Sequence, residues 1–234
     1  MSETGELRRN VWRQNARLPA EGLVSLTWGN VSGRSGSLIA IKPSGVPYSQ
    51  LTPDDIVVLD LDGNVVEGRL RPSTDAPTHL ELYRAFPDIG GVVHAHSLYG
   101  TAFSQARVTI DCLGTTHADH FAGPVPVTRA LRPDEVESEY EAHTGRVIVE
   151  HFRSGAIDPM HVPAVLAAGH APFTWGPDAA AAVDNAVALE ASARMALVTR
   201  MLVAGRPPPL EEWIVAKHHE RKHGVNAYYG QGKP

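Results

Sequence analysis

The chain has 234 residues, 43% of them hydrophobic and 20% charged, which suits a soluble globular protein of one sizeable domain. A net charge of −5 gives no electrostatic basis for nucleic-acid binding, and no apolar run is long enough to cross a bilayer. The single cysteine, Cys112, excludes an internal disulfide, and residues 1–20 lack a signal-peptide pattern, so we predict a cytoplasmic protein.

Helix and strand signals alternate in the first half of the chain. Apolar residues at helical spacing and β-branched runs bounded by Gly, Ser and Pro define them. The predicted helices are 5–17, 78–86 and 98–106. The predicted strands are 23–34, 36–46, the two arms of a hairpin in 55–68 turned by Asp62-Gly63, and 90–97.

The second half is richer in helix signals. Pro133 and the acids after it predict a helix start within 132–152, and an Ala-rich helix ends at Gly205. The predicted elements are helices in 132–152, 176–205 and 209–222 and one apolar strand in 162–176. The hairpin signals favour a mixed, mostly antiparallel sheet, and we predict a single α/β domain over residues 1–234.

Two histidines stand one residue apart at the end of a predicted strand. Because alternate strand residues point to the same face, His94 and His96 project together, and His170 lies near the end of another predicted strand. Three neutral imidazoles with one open position form many catalytic zinc sites. In a chain with 12 histidines such a pair also arises by chance, so the spacing alone leaves both interpretations open.

Short motifs in one order along the chain resemble the class II aldolase/epimerase family, and in particular its epimerase branch. They are "TWGNVS" (27–32), "KPSG" (42–45), "PSTDAPTHLELY" (72–83), "HAHS" (94–97), "GTTHAD" (114–119), "GHAPF" (169–173) and "KHGVNAYYGQ" (222–231). The resemblance covers nearly the whole chain. It implies a three-layer fold with helices on both faces of the central sheet.

The resemblance implies a metal centre. His94, His96 and His170 would hold Zn²⁺, with Mn²⁺ or Co²⁺ as substitutes, and Asp75 would supply a carboxylate at the metal. The related fuculose-phosphate aldolases carry Glu at the position of Asp75. Aspartate there therefore favours the epimerase branch.

The resemblance also implies a phosphate pocket. The residues that match it are Asn30, Lys42, Ser44, Gly45, Ser73 and Thr74. Taken by themselves, "KPSG" and "PST" offer an ammonium, hydroxyl groups and a glycine that lets backbone N–H groups approach an anion. The same composition is common in ordinary polar turns, so the residues alone do not decide between the two.

The activity implied is epimerisation of a phosphorylated ketopentose, L-ribulose 5-phosphate, to D-xylulose 5-phosphate. The hydrogen on carbon 4 is not acidic, so the family cleaves the bond between carbons 3 and 4 and re-forms it on the other face. By resemblance Asp119 and Tyr229 are the acid and base, and Thr116 and His218 contact substrate. The family also implies a homotetramer whose active sites are shared between subunits.

Some positions depart from the family pattern. Leu98 stands where a basic residue is usual, and His120 stands where an aromatic residue is usual, which leaves the sugar phosphate open. An aldolase of the same fold that releases both fragments, and a non-catalytic scaffold like the adducin head domains, are the alternatives. Histidines without metal-like spacing, including His79 and His143, are predicted at the surface or at helix caps.

Overall fold

Seven strands form the centre of the computed structural model, which describes residues 2–225 and 227–230. They are β1 (Asn30–Ser35), β2 (Leu38–Ile41), β3 (Val57–Asp60), β4 (Val65–Glu67), β5 (Gly91–His94), β6 (Ala164–Leu166) and β7 (Pro172–Gly176). The sheet order is β4-β3-β2-β1-β5-β7-β6, and every pairing of neighbouring strands is antiparallel. An isolated parallel bridge joins Val127 to Leu166. The predicted mostly antiparallel sheet is confirmed.

Helices cover both faces of this sheet. They are α1 (Glu3–Ala20), α2 (Ala76–Ala85), α3 (Leu98–Ala106), α4 (Thr115–Ala118), α5 (Pro133–Glu137), α6 (Tyr140–Ser154), α7 (Ala179–Leu202) and α8 (Glu212–His223). A short 3-10 helix occupies Pro53–Asp55. No helix in the described ranges is long and apolar enough to span a membrane.

The strand alternation sorts core residues to two faces. Ile39 and Ile41 of β2 pack in the cluster formed with α2 and α6, whereas Ala40 between them packs in the cluster of α1. In β5, Val92 joins the first face and Val93 joins the cluster of α1 and α7. The three-layer α/β arrangement follows from this alternation.

The helix α7 lies directly on β5. A Cβ atom at Gly91 would lie 2.4 Å from the backbone of Ala179, so only glycine permits this approach. The first turn of α7 is capped by Asp178, whose side chain accepts a hydrogen bond from the N–H of Ala181. The close approach of Ala179 to Gly91 fixes the position of α7 against β5, the strand that carries His94.

Three predicted elements differ from the observed ones. Residues 23–29 are not strand, because Leu26 and Gly29 have φ angles of 53° and 81°, which break the extended backbone. The helix predicted in 132–152 is split, because Ser138 is extended with ψ 177°. The strand predicted in 162–176 is a hairpin, because Gly169 at φ 73° reverses the chain between β6 and β7.

Candidate active site

Three imidazoles converge beside the end of β5. His94 is the last residue of that strand, His96 lies beyond it, and His170 lies in the turn between β6 and β7. One ring nitrogen of each lies within 4.8 Å of the others, and Nε2 of His94 lies 3.1 Å from Nε2 of His96. His170 reaches this place because β7 pairs with β5.

A backbone carbonyl fixes the tautomer of His94. Nδ1 lies 3.1 Å from the oxygen of Pro172, to which it can only donate, so Nε2 carries the lone pair. The ring also stacks on Phe173 with a centroid separation of 4.2 Å. Burial lowers the pKa of His94 to about 3, against the opposing charge of Asp75. The imidazole is therefore neutral at neutral pH, as a metal ligand must be.

The donor set fits a divalent metal. When nitrogen ligands stand about 2.0–2.1 Å from a tetrahedral zinc ion, two of them lie about 3.3 Å apart, close to the separation of His94 and His96. Burial also lowers the pKa of His96 and of His170, so each offers a lone pair in neutral solution. Three imidazoles leave a fourth position for a substrate oxygen.

Asp75 lies beside this group, at the start of α2. Its Oδ2 accepts a hydrogen bond of 2.6 Å from Asn30, and Asn30 is the cross-strand partner of His94. The carboxylate lies outside the set of imidazole nitrogens that are within 4.8 Å of one another. Burial raises the pKa of Asp75, but His94, His79 and the hydrogen bond from Asn30 lower it more. The site therefore holds an ionised carboxylate close to the three imidazoles.

The two loops of the expected phosphate pocket lie side by side. The N–H of Ser73 donates to the carbonyl of Lys42 at 3.0 Å, and Pro43 and Pro72 form an isolated bridge. Asn30 joins them through Nδ2, which donates to the hydroxyl of Ser73 at 3.0 Å. The exposed residues of the same loops are Ser44, Gly45 and Thr74. All six predicted positions thus meet at one place.

Lys42 is a buried cation without a counter-ion. Its Nζ lies 3.3 Å from the carbonyl of Pro43 and 4.9 Å from the centre of the Tyr48 ring. No ion pair joins Lys42 to a carboxylate within residues 2–225 and 227–230. Burial lowers the pKa of its ammonium group. An anion that enters the pocket would relieve this desolvation.

Asp119 lies in a second cluster, at the end of α4. Arg221 of α8 binds its carboxylate through two nitrogens, at 3.0 and 2.7 Å, and His218 lies 3.0 Å from Oδ1. Burial raises the pKa of Asp119, but the hydrogen bonds from Arg221 and His218 lower it more. The carboxylate is therefore ionised and firmly oriented.

Tyr229 belongs to the same cluster. Its ring lies 5.1 Å from the guanidinium of Arg221, and its N–H donates to the carbonyl of Arg221 at 3.0 Å. The phenol is 59% exposed, and Thr116, in the first turn of α4, is exposed as well. Asn226 and Gln231 of the last family motif lie outside the described residues.

Within the described residues of one chain, the two clusters do not contact each other. No hydrogen bond, ion pair or aromatic contact of the described residues joins the group of His94 to the group of Asp119. Three imidazoles and a phosphate pocket form one cluster, and Asp119, His218 and Tyr229 form the other.

Sequence reasoning missed several contacts. Tyr140 lies 3.4 Å from Nδ1 of His170, and Arg221 holds Asp119, although neither was singled out in the sequence. The surface or cap predicted for His79 is wrong, because the ring is fully buried and bonds to Ser32 at 2.7 Å. Its place on the inner face of α2 is the signal that could have revealed this.

Known proteins resemble the chain over nearly its full length. It is 51% identical over 97% of its length to the L-ribulose-5-phosphate 4-epimerases UlaF of Salmonella paratyphi A and Salmonella typhi, covering 99% of each. A solved L-fuculose 1-phosphate aldolase matches with a TM-score of 0.78 at 25% identity, over 94% of this chain and 97% of that one.

A second solved structure has the same fold. The L-fuculose-1-phosphate aldolase of Thermus thermophilus has a TM-score of 0.67 at 27% identity and covers 86% of this chain and 99% of its own. The family model described as "Class II Aldolase and Adducin N-terminal domain" matches residues 9–197. With the fold, the order of the motifs and these matches together, the chain belongs to the class II aldolase and adducin N-terminal domain family.

Proposed function

We propose that the protein is a metal-dependent sugar-phosphate 4-epimerase that converts L-ribulose 5-phosphate to D-xylulose 5-phosphate. The observation that carries the proposal is 51% identity, over 97% of the chain, to proteins named L-ribulose-5-phosphate 4-epimerase. Three features of the structure support it: the three converging imidazoles, the buried ammonium group of Lys42, and, in the other cluster, the oriented carboxylate of Asp119.

A divalent metal, which we take to be Zn²⁺, would be held by His94, His96 and His170, with Asp75 close by. When bound, the ion would supply Lewis-acid chemistry: by drawing electron density from the ketone oxygen it would stabilise negative charge on carbon 3, which would make the bond between carbons 3 and 4 easier to break. Mn²⁺ and Co²⁺ are alternatives, because imidazole ligands do not by themselves select among these ions.

The phosphate pocket keeps the substrate in place. Lys42 supplies the charge and the hydroxyl of Ser73 supplies a hydrogen-bond donor, while Asn30 on β1 orients that hydroxyl by donating to its oxygen. Ser44, Gly45 and Thr74 close the exposed side of the anion. When the bond between carbons 3 and 4 breaks, this grip retains the two-carbon aldehyde phosphate for re-addition.

Asp119 and Tyr229 handle the proton of the carbon-4 hydroxyl. One group removes it as the bond between carbons 3 and 4 breaks, and the electron pair of that bond stays on the three-carbon fragment. After the aldehyde turns its other face, the bond re-forms and the second group returns a proton to the new hydroxyl. The lowered pKa of Asp119 keeps its carboxylate ionised at neutral pH, so its oxygens are unprotonated when substrate binds. His218 and Thr116 would contact substrate from the same side.

We further propose a homotetramer in which Asp119 and Tyr229 of one subunit face the three histidines of another. The separation of the two clusters within one chain supports this arrangement. The location predicted from the single cysteine, the cytoplasm, stays a prediction.

The direct test of the activity is carbon-13 NMR of the metal-loaded protein with L-ribulose 5-phosphate. Appearance of D-xylulose 5-phosphate without accumulating aldehyde is the expected result. An unchanged spectrum from protein that holds a full complement of metal would refute the proposed substrate.

An aldolase is the second candidate, since a solved L-fuculose 1-phosphate aldolase shares the fold with a TM-score of 0.78. An aldehyde trap separates the two activities. If the trap captures aldehyde as fast as substrate disappears, the protein is an aldolase. A scaffold without catalytic function would bind no stoichiometric metal, so metal analysis excludes or supports that third candidate.

Subunit mixing tests the shared site. Separately prepared His96→Ala and Tyr229→Phe proteins should each have strongly reduced turnover. Because a hybrid tetramer would contain some interfaces with both groups intact, unfolding and refolding the two variants together should restore part of the activity. Failure of the mixture to exceed either variant, with hybrids verified by mass spectrometry, would contradict a shared site.

A further inference from the structure

A chain of hydrogen bonds connects the central sheet to the last helix through His120. The amide nitrogen of Asn185 in α7 donates to the carbonyl of Trp175 in β7 at 2.8 Å. Oδ1 of Asn185 lies 3.4 Å from Nδ1 of His120, and Nζ of Lys222 in α8 lies 2.9 Å from Nε2 of His120. Since His120 directly follows Asp119, the chain ends beside the proposed catalytic carboxylate.

The partners fix the tautomer of His120. Asn185 uses its amide nitrogen on Trp175, so the atom that faces the imidazole is the carbonyl oxygen, which can only accept. Nδ1 of His120 therefore carries the hydrogen, and Nε2 carries the lone pair. The ammonium group of Lys222 has donors only and donates to that lone pair. Each bond in the chain has one donor and one acceptor only while His120 is neutral.

Helix α8, which Lys222 joins to His120, also carries residues that bind Asp119. Arg221, next to Lys222, binds the carboxylate at 3.0 and 2.7 Å, and His223 lies 2.9 Å from its backbone carbonyl. Lys222 lies 5.7 Å from the centre of the Tyr229 ring, on which Arg221 also rests. The bond to His120 thus lies beside the α8 residues that orient Asp119 and Tyr229.

We propose that His120 and Lys222 are positioning residues that dock α8 on α4 and thereby orient Asp119 and Tyr229. The catalytic consequence rests on the proposed function, whereas the docking itself does not. The family usually has an aromatic residue at position 120, and in this chain the imidazole contacts Lys222 and Asn185. The residue that differs from the family pattern, His120, therefore takes part in attaching α8.

Protonation of His120 would break the attachment. The charged or titratable groups that face the ring are Lys222 and His223 of α8, His117 of α4 and Asp119 at the end of α4. Burial, Lys222 and His223 lower the pKa of His120, and Asn185 and Asp119 only partly oppose them. A folded pKa below the unfolded value of about 6.5 means that the contact is intact above that pH. It weakens as the pH falls from about 6.5 toward the folded pKa.

Hydrogen exchange of α8 in the metal-loaded protein tests the docking without substrate. His120→Phe and Lys222→Met should each accelerate exchange of α8 amides, corrected for intrinsic rates, by roughly tenfold. The double variant should exchange no faster than His120→Phe alone, because both changes remove the same bond between Lys222 and His120. In His120→Gln, Oε1 can accept a hydrogen bond from Lys222, so α8 amides should be as protected from exchange as in the wild type. In the wild type, exchange of α8 should become faster as the pH falls from about 8 to about 5, because His120 is protonated, and in His120→Gln this increase should be absent.

The same variants separate positioning from general stability. His120→Phe should lower kcat about tenfold with little change in KM or metal content, and His120→Gln should restore most of it. His143→Phe, on α6, is the matched control and should leave α8 exchange unchanged. Wild-type exchange in His120→Phe and Lys222→Met, or additive effects in the double variant, would overturn the proposal.

The outcomes also distinguish this inference from the proposed function. If wild-type protein does not epimerise L-ribulose 5-phosphate but the variants loosen α8, the docking stands and the assigned activity fails. If the wild type epimerises and α8 exchange is unchanged in every variant, only the docking is refuted. If His120→Phe fails to fold, the other two variants still test the docking: exchange of α8 should be faster in Lys222→Met and unchanged in His120→Gln.

Discussion

At the scale of single residues, Lys42 shows how a binding site costs the free protein stability. An ammonium group that is buried without a carboxylate loses its hydration and gains little in return. Its lowered pKa has the same origin, since burial disfavours the charged form. On the proposed function, bound phosphate would recover this free energy, which would link binding and stability at this residue.

Lys42→Met tests that link. Removing a buried unpaired charge should leave the phosphate-free protein as stable as the wild type or raise its melting temperature by a few degrees. The same change should weaken substrate binding by about 10- to 100-fold, the loss expected for a charged hydrogen bond. Differential scanning calorimetry with and without inorganic phosphate, together with KM, measures both effects.

Lys217→Met, at an exposed position of α8, is the matched control and should behave as the wild type. A Lys42→Met protein that phosphate stabilises as much as it stabilises the wild type would contradict the pocket.

His96→Ala addresses the metal centre. His96 lies beyond the end of β5 and is only half-buried, so its loss should cost little stability. Removing one of three imidazoles should abolish tight metal binding and reduce turnover to background. Elemental analysis of the purified protein measures the bound metal, and thermal unfolding followed by circular dichroism measures the stability. A variant that retains stoichiometric metal and full turnover would show that His96 is not a metal ligand. His143→Ala is the control and should behave as the wild type.

At the scale of elements, the segment before α4 is tied to the end of α7 by one carboxylate. Asp111 accepts hydrogen bonds from Arg200 at 2.8 Å and from Arg206 at 2.9 and 3.2 Å. Burial raises the pKa of Asp111, but Arg206 and Arg200 lower it more. A folded pKa below the unfolded value means stability that is present at neutral pH and lost as the pH falls.

Asp111→Asn should therefore destabilise the protein by about 1.5–3 kcal/mol at neutral pH. Below the unfolded pKa of about 3.9 the wild type loses the same contribution, so the difference should shrink as the pH falls further. Urea unfolding at about pH 7 and about pH 3 measures both values. Asp134→Asn, on an exposed side chain of α5, is the control. An equal deficit at both pH values would show that the charge of Asp111 is not responsible.

The elements also show what the sequence could and could not predict. Local patterns located α1, α3, α7 and the β3–β4 hairpin, because helical spacing and turn residues act over a few positions. The His94–His96 pair was visible for the same reason. The contact of Arg221 with Asp119 spans 102 positions, and the burial of His79 depends on which face of α2 meets the sheet. Such contacts are set by packing, which periodicity does not encode.

At the scale of the whole molecule, an apolar surface remains uncovered at the end of α7 and the start of α8. Met201, Leu202 and Trp213 are 71%, 82% and 74% exposed. Large exposed apolar side chains are often found at subunit interfaces. The proposed homotetramer gives this surface a partner.

If the proposed homotetramer uses this surface, Leu202→Glu should weaken it, because the change would place a charge in an apolar contact. Light scattering coupled to size exclusion should show smaller species, and activity should fall with them if sites are shared. Val136→Glu, at an exposed position on α5, is the control and should stay tetrameric. A Leu202→Glu tetramer of undiminished stability would place the interface elsewhere.

The position of α8 after the other elements of the site orders events during translation. The three histidines and the phosphate loops all precede β7, whereas Arg221 and Tyr229 follow it. The ribosome therefore releases the three histidines and Asp119 before Arg221, the residue that holds the carboxylate of Asp119. On the proposed function, a nascent polypeptide that stops before α8 would carry the metal ligands but would lack Arg221 and Tyr229, and so would not complete turnover.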